Sequence, residues 1–114
     1  SVSAPFHCNL MNKATEIMKK EIEKLEFRDF KNSLISNVTA GEIKDKSMIK
    51  DLLVKQIENK VRWRESVLYM INNGVNQFIE IGPGKVLSGL VKRINKGMTT
   101  NSINNKDDIQ NITI

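Results

Sequence analysis

The 114 residues hold one cysteine, one histidine, one tryptophan, one tyrosine and two prolines. Each shortage excludes something. The single cysteine, Cys8, permits no internal disulfide, and with only His7 beside it no Cys/His metal cluster can form. No metal and a reducing, cytoplasmic setting are therefore expected. No apolar run approaches the roughly 20 residues of a membrane helix, and no basic stretch leads into an apolar core near the start. Neither a membrane span nor a signal peptide is expected. Aromatic residues make up 5%, too few to stack successive bases of a nucleic-acid strand. No Met precedes Ser1, which suggests a fragment, a processed product or an incomplete gene product.

What is present reads as globular. Hydrophobic residues are 39% and charged residues 27%, outside the disordered range and sufficient for one small domain with a modest core. The net charge of +5 suits an acidic partner, whether nucleic acid, anionic membrane or acidic protein, and composition does not choose among them.

The apolar spacing gives the organisation. Residues 1–8 read as an extended segment running into a loop, because Pro5 turns Ala4 away from helical angles. Leu10, Ala14, Ile17, Met18, Ile22 and Leu25 recur at helical spacing and predict an amphipathic helix over 9–26, with Asn9 as its N-cap. Residues 34–38 read as a short strand ending at an Ala40-Gly41 turn. Ser47 caps a second helix over 48–58, and a third runs over 63–71 until Asn72-Asn73-Gly74 stops it. Residues 75–81 read as a buried strand entering the Gly82-Pro83-Gly84 turn. A fourth helix follows with Val86, Leu87, Leu90, Val91 and Ile94 inward. From Thr99 on, the chain is polar and aperiodic and reads as a flexible tail over 99–114. Strands separated by helices predict an α/β fold with a mainly parallel sheet, and two strands alone leave edges that need neighbours.

Few residues can carry chemistry. His7 sits in a loop before a helix, where an imidazole can serve as general base and then general acid, or can be a plain loop histidine. Cys8 could be a nucleophile, but adjacent residues rarely aim at one atom; a buried small apolar residue is the competing reading. Gly82-Pro83-Gly84-Lys85 fails as a phosphate loop, since Ile79 and Val86 stand where Gly and Ser or Thr are required. Arg62, Arg64, Lys92 and Arg93 read as solvated charge, Trp63 as a packing anchor, and Glu80 as a strand residue that could touch a site. The Gly-x-Ser-x-Gly nucleophile turn is absent.

Two stretches carry a resemblance. Ser3-Ala4-Pro5-Phe6-His7-Cys8-Asn9-Leu10-Met11 resembles the histidine segment of malonyl-CoA:acyl-carrier-protein transacylases. The run from Phe78 to Leu90 resembles that family's C-terminal strand, turn and helix. Between them, Ser36-Asn37-Val38-Thr39, Leu53-Val54-Lys55-Gln56-Ile57 and Val61-Arg62-Trp63 follow in matching order over about residues 1–98. The resemblance implies the C-terminal part of an α/β-hydrolase-like acyltransferase core. It also implies ping-pong malonyl transfer from malonyl-CoA to the phosphopantetheine thiol of acyl carrier protein, in fatty acid biosynthesis. By match, His7 is the catalytic histidine and Gln56 supplies the main-chain carbonyl that orients it. No cofactor is implied beyond the substrate. The family's serine, malonate-gripping arginine and oxyanion donors lie upstream of this segment, so an N-terminal half is an expected partner and the isolated chain is expected to be inactive. The alternative is a non-catalytic piece that binds acidic acyl carrier protein or that upstream half; a nucleic-acid or membrane role is not expected. Asn59-Lys60 stands where the family often has Asn-Pro.

Overall fold

The computed structural model describes residues 5–112, so the expected extended start over 1–4 lies outside the described residues. The chain forms two compact units, 1–66 and 67–114. The division falls inside a helix.

In the first unit, a 3-10 turn over Asn9–Met11 leads into α1, Asn12–Glu23. Asn9 is not a cap. It lies in the turn, Cys8 holds the extended capping position, and among the described residues no side chain caps either element. Ala, Glu, Lys and Met, all strong helix formers, sustain α1. A second 3-10 turn over Lys46–Met48 opens α2, Ile49–Glu58. Its capping acceptor is Asp45, whose carboxylate takes the Ser47 amide at 2.8 Å, so Ser47 donates where it was expected to accept. That bond holds the Asp45 carboxyl below its ordinary value. Ile43, Ile49 and Leu52 form the core of this unit, with Phe27, Phe30, Val38 and Leu53 packed against them. α1 packs on α2, yet only Ile22 of its apolar stripe is buried; Leu10, Ile17, Met18 and Leu25 are exposed.

The strand expected over 34–38 is reduced to one antiparallel bridge, Ile35 with Glu42. Ser36 is the reason. Its carbonyl accepts the Ala40 amide and its hydroxyl accepts the Val38 amide, wrapping the chain into a turn that leaves Ala40 at φ 54°. Arg62 anchors that turn from the end of the connection that follows α2. Its amide donates to Asn37 O at 3.0 Å and its guanidinium to Thr39 O at 3.1 Å.

α3, Trp63–Asn72, continues into the second unit. Gly74, at φ 93°, ends it as expected: its amide reaches Ile71 O and the Val75 amide reaches Met70 O, a paired closure that requires the left-handed conformation. β1 (Gln77–Ile81), α4 (Val86–Ile94) and β2 (Thr99–Ile103) then form a βαβ unit, with β1 and β2 parallel and Gln77 opposite Thr99. The expected flexible tail thus contains the second strand of the sheet. Its β-branched Thr99, Thr100 and Ile103 fit a pleated edge despite their polar surroundings. Neither β1 nor α4 is as buried as expected: Ile79, Ile81, Val86 and Leu87 are exposed, and Val91 is the α4 residue fully inside. Among the described residues no helix is long and apolar enough to cross a membrane.

Candidate active site

His7 lies in the loop before the first 3-10 turn and is exposed. Its φ is 55°, the left-handed region, which costs a non-glycine residue about 1–3 kcal/mol and persists where neighbours over-determine it. The neighbours are visible. The Cys8 thiol donates to Pro5 O at 3.4 Å, and the Met11 amide donates to Cys8 O at 3.0 Å. Cys8 is half-buried and its hydrogen bond staples the loop, which is neither a nucleophile's setting nor a fully apolar one.

The ring is held by α2. His7 Nδ1 lies 2.7 Å from Gln56 O. A carbonyl oxygen only accepts, so Nδ1 carries the hydrogen, and in the neutral ring the lone pair is then on Nε2. Nε2 forms no hydrogen bond among the described residues. Gln56 is within the last turn of α2, where carbonyls lack intrahelical partners and carry partial negative charge. Antiparallel packing of the helix pair delivers the two groups to each other. At the opposite end Lys50, early in α2, donates to Glu23 O at the close of α1 at 2.9 Å. The contact expected between His7 and the end of the second helix is thus in place.

Residues around it were less legible. Asn59, which the sequence marks only as a connection residue, donates to Lys55 O with both its amide (3.1 Å) and its side chain (2.7 Å). Asparagine directly after a helical run was the available signal. An open cleft of about 220 Å³ lies between residues 34–37 and α2, with Ile35, Asn37, Leu52 and Gln56 in its walls.

The other candidates are structural. Glu80 on β1 accepts the Leu87 and Ser88 amides at 3.1 and 2.8 Å, capping α4 from across the turn. Chiefly the Ser88 amide holds its carboxyl below the ordinary value. These α4 amides are thereby closed to a phosphate, and Gly84 donates to Asn104 Oδ1. Arg62 is engaged by Glu65 at 2.7 Å and Lys92 by Met98 O, while Arg64 and Arg93 are exposed. Trp63 has its Nε1 buried and, among the described residues, without a hydrogen-bond partner. Among the described residues no group of three or more His, Cys, Asp or Glu side chains could hold a metal.

No protein-family model matches the chain. Individual proteins do. The malonyl CoA-acyl carrier protein transacylase of Bacillus subtilis is 42% identical over 109 residues, covering 96% of this chain and 34% of that protein. The crystal structure of the Clostridium perfringens transacylase superposes with a TM-score of 0.88 at 36% identity, over 96% of this chain and 35% of that one. A malonyl-transacylase solved in complex with a type II PKS acyl-carrier protein superposes with a TM-score of 0.86 at 35% identity, over 96% of this chain and 36% of that one. In sequence and in fold, the chain is similar to malonyl CoA-acyl carrier protein transacylases, and it spans about a third of the length of the relatives it matches.

Proposed function

We propose that the chain supplies the histidine of a malonyl transfer from CoA to the phosphopantetheine thiol of acyl carrier protein, in fatty acid synthesis. The observation that carries this reading is the 2.7 Å bond from His7 Nδ1 to Gln56 O, which in the neutral ring puts the basic lone pair on Nε2. In the first half-reaction a serine, provided by the family outside this segment, passes its proton to Nε2 as its oxygen attacks the thioester carbon of malonyl-CoA. The C–S bond breaks and the sulfur leaves as a thiol, taking the proton from Nε2. In the second half-reaction the carrier thiol gives its proton to Nε2 and its sulfur attacks the serine ester. The C–O bond breaks and the serine recovers its proton, so His7 ends each cycle neutral. Throughout, Nδ1–H stays on the Gln56 carbonyl, whose partial negative charge faces the ring while it is positive.

The net charge of +5 suits an acidic carrier protein, and a cytoplasmic setting goes with the reading. The test is a hybrid in which this chain replaces the matching third of the Bacillus subtilis relative. The hybrid is expected to transfer malonyl groups, and His7→Ala to lower turnover by about 10²–10⁴-fold, the usual contribution of a general base. A His7→Ala hybrid within threefold of its parent would overturn the reading. The 114-residue chain alone is expected to give no transfer above background.

A further inference from the structure

We infer that Asn59 is a positioning residue for His7: by closing α2 on the Lys55 carbonyl it keeps the Gln56 carbonyl open for the imidazole. In a continuing α-helix the carbonyl of residue i accepts the amide of residue i+4. The partner of Lys55 O is therefore the Asn59 amide, and the partner of Gln56 O would be the Lys60 amide. The first bond is made, at 3.1 Å, and the Asn59 side chain adds a second to the same oxygen at 2.7 Å. The second partnership is not made. Asn59 has φ −96° and ψ 148°, extended, so the chain leaves the helical path at this residue and carries the Lys60 amide away. One residue thus fixes both the last helical bond and the first open carbonyl, and that open carbonyl is the one 2.7 Å from His7 Nδ1.

The end of α3 is an internal control. Asn73 makes the same pair of bonds to Tyr69 O, from its amide at 3.1 Å and its side chain at 2.8 Å. There the next carbonyl, Met70 O, is taken by the main-chain amides of Asn73 and Val75, because Gly74 turns the chain back. Asn59 is followed by no such return, and a side chain from elsewhere in the fold fills the vacancy. Asparagine suits the task because its side-chain amide competes for local carbonyls and disfavours continuing the helix.

The inference rests on His7 as the base of the proposed reaction, but its readout is the ring's tautomer, which needs no turnover. His7 is the only histidine, so ¹⁵N-histidine spectra of the 114-residue chain report it alone. The parent is expected to show Nδ1–H as the dominant tautomer. In Asn59→Ala, α2 should extend, the Lys60 amide should take Gln56 O, and the Nδ1–H population should fall at least twofold. Adding Lys60→Pro removes the competing amide and biases residue 59 back to extended angles. The double variant should recover the parental tautomer, which a merely stabilising role for Asn59 would not produce. In the hybrid enzyme Asn59→Ala should lower kcat with little change in KM for malonyl-CoA, and Lys60→Pro should restore it. An unchanged tautomer in Asn59→Ala overturns the inference. So does a double variant that folds without recovering Nδ1–H, and if Asn59→Ala does not fold, the double variant decides. Altered tautomers with unaltered turnover would instead count against His7 as the base.

Discussion

The two units treat the exits of α2 and α3 in opposite ways. In the first, α2 finishes with a main-chain carbonyl given to a side chain brought from far away in sequence, His7 to Gln56. In the second, the ends are sealed internally. Gly74 closes the exit of α3, Glu80 closes the entry of α4, and β2 with Asn104 holds the turn between β1 and α4. Unpaired polar groups at helix ends are an obligatory by-product of helices. Where the chain closes them, it gains rigidity. Where it leaves one open, that group holds the His7 ring. The difference also separates how substitutions should act: changes at sealed ends should appear as stability, and changes at the open end as turnover.

The comparison is tested most severely at the sealed unit by deleting β2. Truncation after Met98 removes the parallel partner of β1, the Ser88–Ser102 contact at 3.1 Å and the Asn104 bond to Gly84. Exposure of the β1 edge should abolish amide-exchange protection over 77–81, because a lone strand has no ladder. Retained protection would mean that 99–103 is dispensable. A smaller effect is expected at the exit of α3. Gly74→Ala forces a Cβ into φ 93° and should destabilise by about 1–2 kcal/mol in urea unfolding, with turnover of the hybrid unchanged. A loss of turnover beyond the loss of folded protein would blur the distinction.

The smallest effect is a pH dependence. Glu80 has its carboxyl lowered from an ordinary value of 4.5, so its stabilisation is fully present above that pH and is lost as pH falls through the lower folded value. The melting temperature of the parent should therefore decline below about pH 4.5, and Glu80→Gln should flatten that decline. Parallel pH profiles for parent and variant would remove Glu80 as the cap. Asp45, lowered by the Ser47 amide in the first unit, contributes with the same sign and should leave a residual slope in the Glu80 variant.

Much of the fold was legible because helices announce themselves by spacing. The four helices, the Gly74 stop and the β1 strand follow from periodicity and turn residues alone. The failures have local causes. Residues 34–38 carry strand-forming Leu, Ile and Val, but Ser36 commits its carbonyl and hydroxyl to a turn, and the Asn37 carbonyl accepts the Arg62 amide. Residues 99–103 look like tail because an edge strand need not be apolar; its ladder bonds come from the backbone, which composition does not report. The exposed Ile79, Ile81, Val86 and Leu87 were expected inside because a single sequence gives an apolar face and not what covers it. At the site, resemblance supplied His7 and Gln56. The physics of helix ends supplied the reason for a carbonyl partner. Asn59 was read only as part of a helix connection, because which carbonyl remains open depends on one ψ angle.

The central claim is that His7 is held by main chain and not by a side chain. It is tested most directly by measuring malonyl transfer in the hybrid for Gln56→Ala beside His7→Ala. Because Gln56 contributes its carbonyl, which alanine also has, the account predicts that Gln56→Ala stays within about threefold of the parent while His7→Ala loses about 10²-fold or more. Equal losses in the two variants would contradict it.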